Sequence, residues 1–252
     1  MKIRRTDIDL LNGPVDSTLR KFAAPLALSF LIHMLYAWVD LYFVSRLGDS
    51  PMAAMGISER IWFFTFAIGS GFAIGSSVIV ARRIGEGNRI EANHTATQSI
   101  IIMFFFAIII ATALYLLLPD ILKLLQIENK VAEQSQIYFS ALILGVPANF
   151  IIFQINAIIR STGNSFYPMM ILIVSNIINA IFTPILIFGI GPVPALGLYG
   201  AGLGTSIAQY AAAIYCLFIL RGTSTSVEIQ LKGLKFDFTI VKSIFKLGVP
   251  AS

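Results

Sequence analysis

Six stretches of almost unbroken apolar residues divide the chain, at roughly 22–47, 57–81, 95–118, 137–159, 167–190 and 198–220. A helix needs about 20 residues to cross the hydrocarbon of a bilayer, and each stretch is long enough. Backbone N–H and C=O groups find no water there, so a continuous apolar run has to satisfy them internally, as a helix does. The period-two alternation of a barrel strand is absent. The pattern therefore predicts an all-α membrane protein with six transmembrane helices. Its polar breaks are readable. Arg82-Arg83-Ile84-Gly85-Glu86-Gly87-Asn88 and Arg160-Ser161-Thr162-Gly163-Asn164 carry glycine stops for segments two and four. Gly191-Pro192-Val193-Pro194 predicts a tight, uncharged turn. The mixed stretch from Pro119 to Gln136 predicts a short amphipathic helix on the outer surface.

Composition agrees with the pattern. Of 252 residues 57% are hydrophobic and only 12% charged, with a mean hydropathy of +0.82. Soluble domains carry about 25% charged residues, so a water-facing globule is excluded. The net charge of +5 is not the mark of a nucleic-acid partner, because the basic residues cluster between apolar segments instead of along one face. They sort by side. With six spans, the loops shared with the N-terminus hold 14 Lys and Arg and the opposite loops hold 4. The N-terminus is therefore expected in the cytoplasm and the chain in the cell (inner) membrane, in contact with lipid. Residues 1–21 lack the apolar core of a cleavable signal. The single cysteine, Cys216, lies in an apolar run and is read as packing.

Four units follow: a cytoplasmic segment at 1–21, a six-helix lobe at 22–220, a basic linker at 221–243 and a new element at 244–252. That last element, Ile244-Phe245-Lys246-Leu247-Gly248-Val249-Pro250, echoes Leu19-Arg20-Lys21-Phe22-Ala23-Ala24-Pro25. The echo fits a second six-helix repeat opening at helix 7, since internal repeats recur among transporters.

The chemistry lies in the polar residues of the spans. Asp40 stands in segment one, with the other twelve acids read as outside the apolar cores. A carboxylate in a span is costly and is read as functional, to exchange a proton or to bind a cation. Ser29, His33, Tyr36 and Asp40 share a helix face. His33 on that face is read as a packing residue. Pro25 lies 15 residues before Asp40, about 22 Å along a helix, where it permits a bend. Segment five carries Asn176, Asn179 and Thr183 on one face, and segment six carries Thr205 and Gln209. Their oxygens suit a hard cation beside Asp40, although spacing alone favours hydrogen bonds between helices. Segment four places Asn149 and Asn156 on one face and Gln154 on another. Gly71…Gly75 and Gly200…Gly204 have the small-xxx-small spacing of close helix contact. No P-loop, HExxH motif, paired cysteines or Ser-His-Asp set is present, so no enzyme is expected.

Several strings resemble one family. Val39-Asp40-Leu41-Tyr42-Phe43-Val44-Ser45-Arg46-Leu47-Gly48 resembles the helix 1 signature of the multidrug and toxic compound extrusion (MATE) transporters, and Pro25 stands where their helix 1 proline does. Gly85-Glu86-Gly87-Asn88, Arg160-Ser161-Thr162-Gly163-Asn164, the stretch from Asn179 through Phe188-Gly189 and the stretch from Gly197 to Thr205 are similar to later motifs of the family, in order. The resemblance implies one lobe of a two-lobe, twelve-helix antiporter that expels organic cations or drugs against H⁺ or Na⁺. It implies a coupling role for Asp40 and oxygen ligands at Asn179 and Thr205, with Thr183 beside them. No cofactor beyond the ion is implied, and the partner is a C-terminal lobe. Some members have an acid where this chain has Thr183, which leaves Asp40 as the lobe's one carboxylate and leans the coupling toward H⁺. The alternatives are a lipid-linked oligosaccharide flippase of the same superfamily and a non-transporting membrane fragment. The flippase is disfavoured because no Lys or Arg is read inside a span.

Overall fold

The computed structural model describes residues 15–221, 227–229, 236–248 and 250. Most of the N-terminal segment, including Lys2, Arg4 and Arg5, lies outside the described residues, as does much of the linker. Among the described residues the structure is helical throughout, in the order α1 (Val15–Ser45), α2 (Asp49–Gly85), α3 (Arg89–Leu124), α4 (Asn129–Ile143), α5 (Val146–Ser161), α6 (Phe166–Phe188), α7 (Gly197–Arg221) and α8 (Phe238–Gly248). Five are long and apolar enough to span a membrane singly, and α4 with α5 makes a sixth as a bent pair. A core of Met103, Phe139, Phe150, Phe72 and Ile187 ties the helices together. α7 packs on α6, α4 and α5, α1 packs on α6, and α2 lies against α3, α4, α5 and α8.

Two sequence expectations give way here. The surface helix expected from Pro119 to Gln136 does not form. α3 runs through Pro119 to Leu124, and α4 starts at Asn129 with Ser135, Tyr138 and Phe139 buried in the lobe. The fourth span, expected as one helix over 137–159, breaks at Leu144 and Gly145 with a 53° bend. The cause is local. Pro147 has no N–H to give to the carbonyl of Ile143. The Gly145 N–H donates to Leu142 at 3.0 Å instead of to Ala141. The carbonyl freed at Ala141 accepts from the Ser206 hydroxyl of α7 at 2.7 Å. A bend inside hydrocarbon is tolerated only when a neighbour answers the freed group, as Ser206 does. Gly145 is itself required, because a Cβ there would lie 2.9 Å from the Ser206 hydroxyl.

The turns follow the glycine punctuation. Gly87 and Gly163 take positive φ of 77° and 86°. Each precedes an asparagine that caps the next helix: Asn88 accepts from the Glu91 N–H at 3.2 Å, and Asn164 accepts from the Phe166 N–H at 3.1 Å. The 191–194 stretch makes the expected turn between α6 and α7.

Small residues set the helix contacts. Gly202 of α7 faces the α4 backbone, where a Cβ would come 2.6 Å from the Tyr138 carbonyl and 2.9 Å from the Ala141 Cβ. Gly75 of α2 lies against α8, where a Cβ would sit 2.9 Å from the Gly248 nitrogen. The linker is pinned as well. The Gln98 side chain donates to the Asp237 carbonyl at 2.7 Å and accepts from its N–H at 3.3 Å, while Asn93 accepts from the Glu228 N–H at 3.0 Å. Asp237 in turn accepts from the Thr239 N–H at 2.7 Å, which holds its carboxyl below the usual range. Phe104 and Phe105 are exposed, while Phe106 turns inward to stack on Phe72.

Gly202→Leu is expected to lower the stability of the folded lobe by about 1–3 kcal/mol or to prevent folding, through overpacking. Gly56→Leu, with nothing within 4 Å of its Cβ position, should change little. Thermal unfolding in detergent compares the two. Gln154→Leu should cost about 1 kcal/mol in the same assay, since it removes two interhelical bonds of about 0.6 kcal/mol each.

Candidate functional site

α1 carries three of its four striped residues to one place. His33, Tyr36 and Asp40 line a cavity of about 340 Å³, walled also by Met55, Glu59 and Trp62 of α2 and Tyr138 of α4. The bend at Gly145 sets α5 so that Asn149 and Asn156 reach the same space. Thr205 and Gln209 of α7 complete the wall. Ser29, the fourth residue of the stripe, is not among the lining residues. Its hydroxyl donates to the Pro25 carbonyl at 2.7 Å, and α1 continues through Pro25 as one helix.

Asp40 is 5% exposed. Its Oδ2 lies 3.4 Å from the Thr205 hydroxyl, whose single proton also faces the Ala201 carbonyl at 3.2 Å. Its Oδ1 is buried and has no partner. Behind Thr205, the Asn179 amide donates to the Thr205 hydroxyl at 3.3 Å, while Asn179 Oδ1 has no partner either. Thr183 follows one turn on, fully buried, with its hydroxyl unpaired and close to the α7 backbone at Gly204. Asn156 Oδ1 and Gln209 Oε1 are further buried acceptors without a partner. Buried polar atoms are normally satisfied. Of the six unpaired oxygens among the described residues, those of Asp40, Asn156 and Gln209 belong to cavity-lining residues, those of Asn179 and Thr183 lie off the lining, and Gln154 Oε1 lies elsewhere. The three on lining residues are of the oxygen type that a hard cation takes as ligands.

Two candidates stand elsewhere. Gln154 points away from the cavity and donates to the Ser76 and Ser99 hydroxyls at 2.6 and 3.0 Å, joining α5 to α2 and α3. Asn176 donates to the Leu172 carbonyl of its own helix at 2.9 Å and does not line the cavity.

Glu59 corrects the sequence reading. It lies inside α2, lines the cavity with Asp40, and makes this a lobe with two carboxylates at one site. It escaped because it stands only two residues into its apolar segment, next to Arg60, where a charged pair looks like a helix end. α2 in fact begins ten residues earlier, at Asp49, so Glu59 lies about 15 Å along it. The helical spacing of Met55, Glu59 and Trp62 was the available signal. Arg60 likewise lies within α2, against the reading that no Lys or Arg enters a span. It faces an apolar groove between α2 and α3, away from the cavity.

Comparison with known proteins places the fold. The family model MatE matches residues 25–185. The chain is 28% identical over 235 residues to a Bacillus subtilis protein named "Probable multidrug resistance protein YoeA", covering 92% of the chain and 51% of that protein. It is 25% identical over 240 residues to the Staphylococcus aureus "Multidrug export protein MepA", covering 95% of the chain and 52% of that protein. The fold matches a solved MOP superfamily transporter from Pyrococcus furiosus with a TM-score of 0.88 at 22% identity, over 99% of the chain and 55% of that structure. The chain spans about half the length of the curated relatives it matches, and its helices have the fold of one lobe of the solved transporter. With the family model matched over more than half of its length, the chain belongs to the MatE family.

Proposed function

We propose that the chain forms the lobe of an antiporter that exports an organic cation or drug in exchange for a cation, with Asp40 as the coupling carboxylate. The observation that carries this reading is the buried, half-satisfied Asp40 on the wall of a cavity. The export and resistance names of the relatives support a drug as the cargo.

The residues fit Na⁺. One proton on Asp40 would satisfy one neighbouring oxygen. The unpaired oxygens of Asp40, Asn179 and Thr183, next to the Thr205 hydroxyl, offer several ligands at once. The lean toward H⁺ rested on a lobe with a single carboxylate, and Glu59 removes that premise. Asp40, Asn179, Thr183 and Thr205 would therefore hold the ion, whose charge neutralises Asp40. Neutralisation weakens the cavity's attraction for a bound organic cation. It also lets α1 change shape about Pro25 as the lobe rocks against its C-terminal partner to the other face. The flippase reading calls for a basic groove around a diphosphate, and no Lys or Arg is among the described residues lining this cavity.

In cells making the protein as its host does, efflux of ethidium under a Na⁺ gradient without ΔpH should proceed. Efflux that follows ΔpH alone would return the coupling to H⁺. Asp40→Asn should reduce coupled efflux to background under either gradient. Asn179→Ala and Thr205→Ala should instead raise the Na⁺ concentration for half-maximal efflux by about tenfold, the usual scale for loosening an ion site. Ethidium efflux unaffected by Asp40→Asn would refute the antiport reading.

A further inference from the structure

Two carboxylates in one cavity raise the question of which meets the cargo. They differ in every respect that decides it. Asp40 is 5% exposed, set beside Thr205 and backed by Asn179. Glu59 is exposed, and among the described residues it accepts no hydrogen bond and forms no ion pair. Aromatic rings line the same cavity: Trp62, one helical turn along α2, with Tyr36 and Tyr138. His33 and Asp40 are the other titratable groups lining the space besides those tyrosines.

From this we infer that Glu59, with Trp62, is the recognition site for the charged head of the exported compound, separate from the ion site at Asp40. The inference rests on the export reading for its transport arm and on the cavity alone for its binding arm. A bulky cation entering the cavity reaches an exposed carboxylate and aromatic faces before it reaches a carboxylate packed against α7. Aromatic faces attract cations, most of all tryptophan, and the attraction grows when water is excluded. A small ion fits the opposite environment, a buried carboxylate amid fixed oxygens. The two positive charges then oppose each other through the cavity without sharing a ligand. The unpaired, nine-tenths-buried oxygens of Asp40, Asn156 and Gln209 mark the space between as built for a ligand. The class of compound is an aromatic or lipophilic monocation. A neutral compound of the same size would use the apolar wall but not Glu59.

Tetraphenylphosphonium is the probe, with a neutral lipophilic dye of similar size as reference, on the protein as its host makes it. Purified protein in lipid nanodiscs gives binding, and proteoliposomes give KM and kcat. Glu59→Gln is expected to weaken tetraphenylphosphonium binding, and to raise its KM, at least about tenfold relative to the neutral dye, the range of a close charge pair lost. Glu59→Asp should recover most of that ratio, and Trp62→Leu should lower it again. Half-saturation by Na⁺ should stay with Asp40. A Glu59→Gln ratio equal to wild type overturns the inference. So does an equal loss for both compounds, which would make Glu59 structural or part of coupling. If wild-type protein binds the probe in a Glu59-dependent way but transports nothing, the export reading fails and the recognition site stands.

Discussion

Within hydrocarbon a polar group without a partner is costly, and that constraint sorts the interior of this lobe into two populations. In the first, most backbone or side-chain groups have been answered, Gln154 Oε1 being an exception. The Ala141 carbonyl freed by the break before Pro147 receives the Ser206 hydroxyl. Gln154, deep among three helices, donates to Ser76 and Ser99. Buried serines and threonines away from the cavity, such as Ser58 and Thr65, return a hydrogen bond to their own helix. In the second population the answer is missing, and nearly all of it gathers on and behind a single cavity. Asp40, Asn156, Asn179, Thr183 and Gln209 each retain an oxygen with no partner. A fold that satisfies Ala141 through a helix 65 residues away is able to satisfy these oxygens as well. That they stay open is what supports the proposal of an ion or cargo site there.

The bend is what brings the site together. A straight fourth span would run α5 on in line with α4. The turn at Gly145 sets Asn149 and Asn156 on the cavity side while Gln154 stays against α2 and α3. Just before that turn, α4 and α7 lie so close that Gly202 admits no side chain. Glycine contacts, the proline break and the serine that answers it are thus one device, and the polar cavity wall is its product.

Much of this was legible in the sequence. Apolar length and glycine punctuation located five spans and the turns at Gly87 and Gly163, because those follow from local rules about hydrocarbon thickness and positive φ. The faces of segments one and four were legible for the same reason: a helix fixes which residues lie together. The bend was not, because Pro147 looks like the start of any helix until Ser206 is known to lie beside it. Gln154 and Asn156 were equally polar on paper, and only their neighbours tell glue from lining. Glu59 was passed over because the apolar segment starts at 57, eight residues after α2 begins at Asp49. Helices in this lobe overrun the bilayer, α2 by many residues, so hydropathy marks a span's centre better than its ends.

Two acids at one cavity change the electrostatic logic of exchange. With a single carboxylate, ion and cargo must displace each other from the same oxygens, and affinity for one sets affinity for the other. With Asp40 buried against α7 and Glu59 open on α2, the two proposed sites would attract different things: a compact ion that can be wrapped by fixed oxygens, and a broad cation that cannot. Coupling then passes through charge. On the proposed reading, a cation at Asp40 would cancel part of the field that holds the cargo at Glu59, and a cargo at Glu59 would do the same to the ion. The reciprocity is thermodynamically required, since each ligand changes the other's affinity by the same factor. The cargo's shape is left free, because nothing in its binding demands that it match the ion's ligands. On that proposal, a cavity that sets a carboxylate beside aromatic surface would accept many cations while still exchanging each for the same ion.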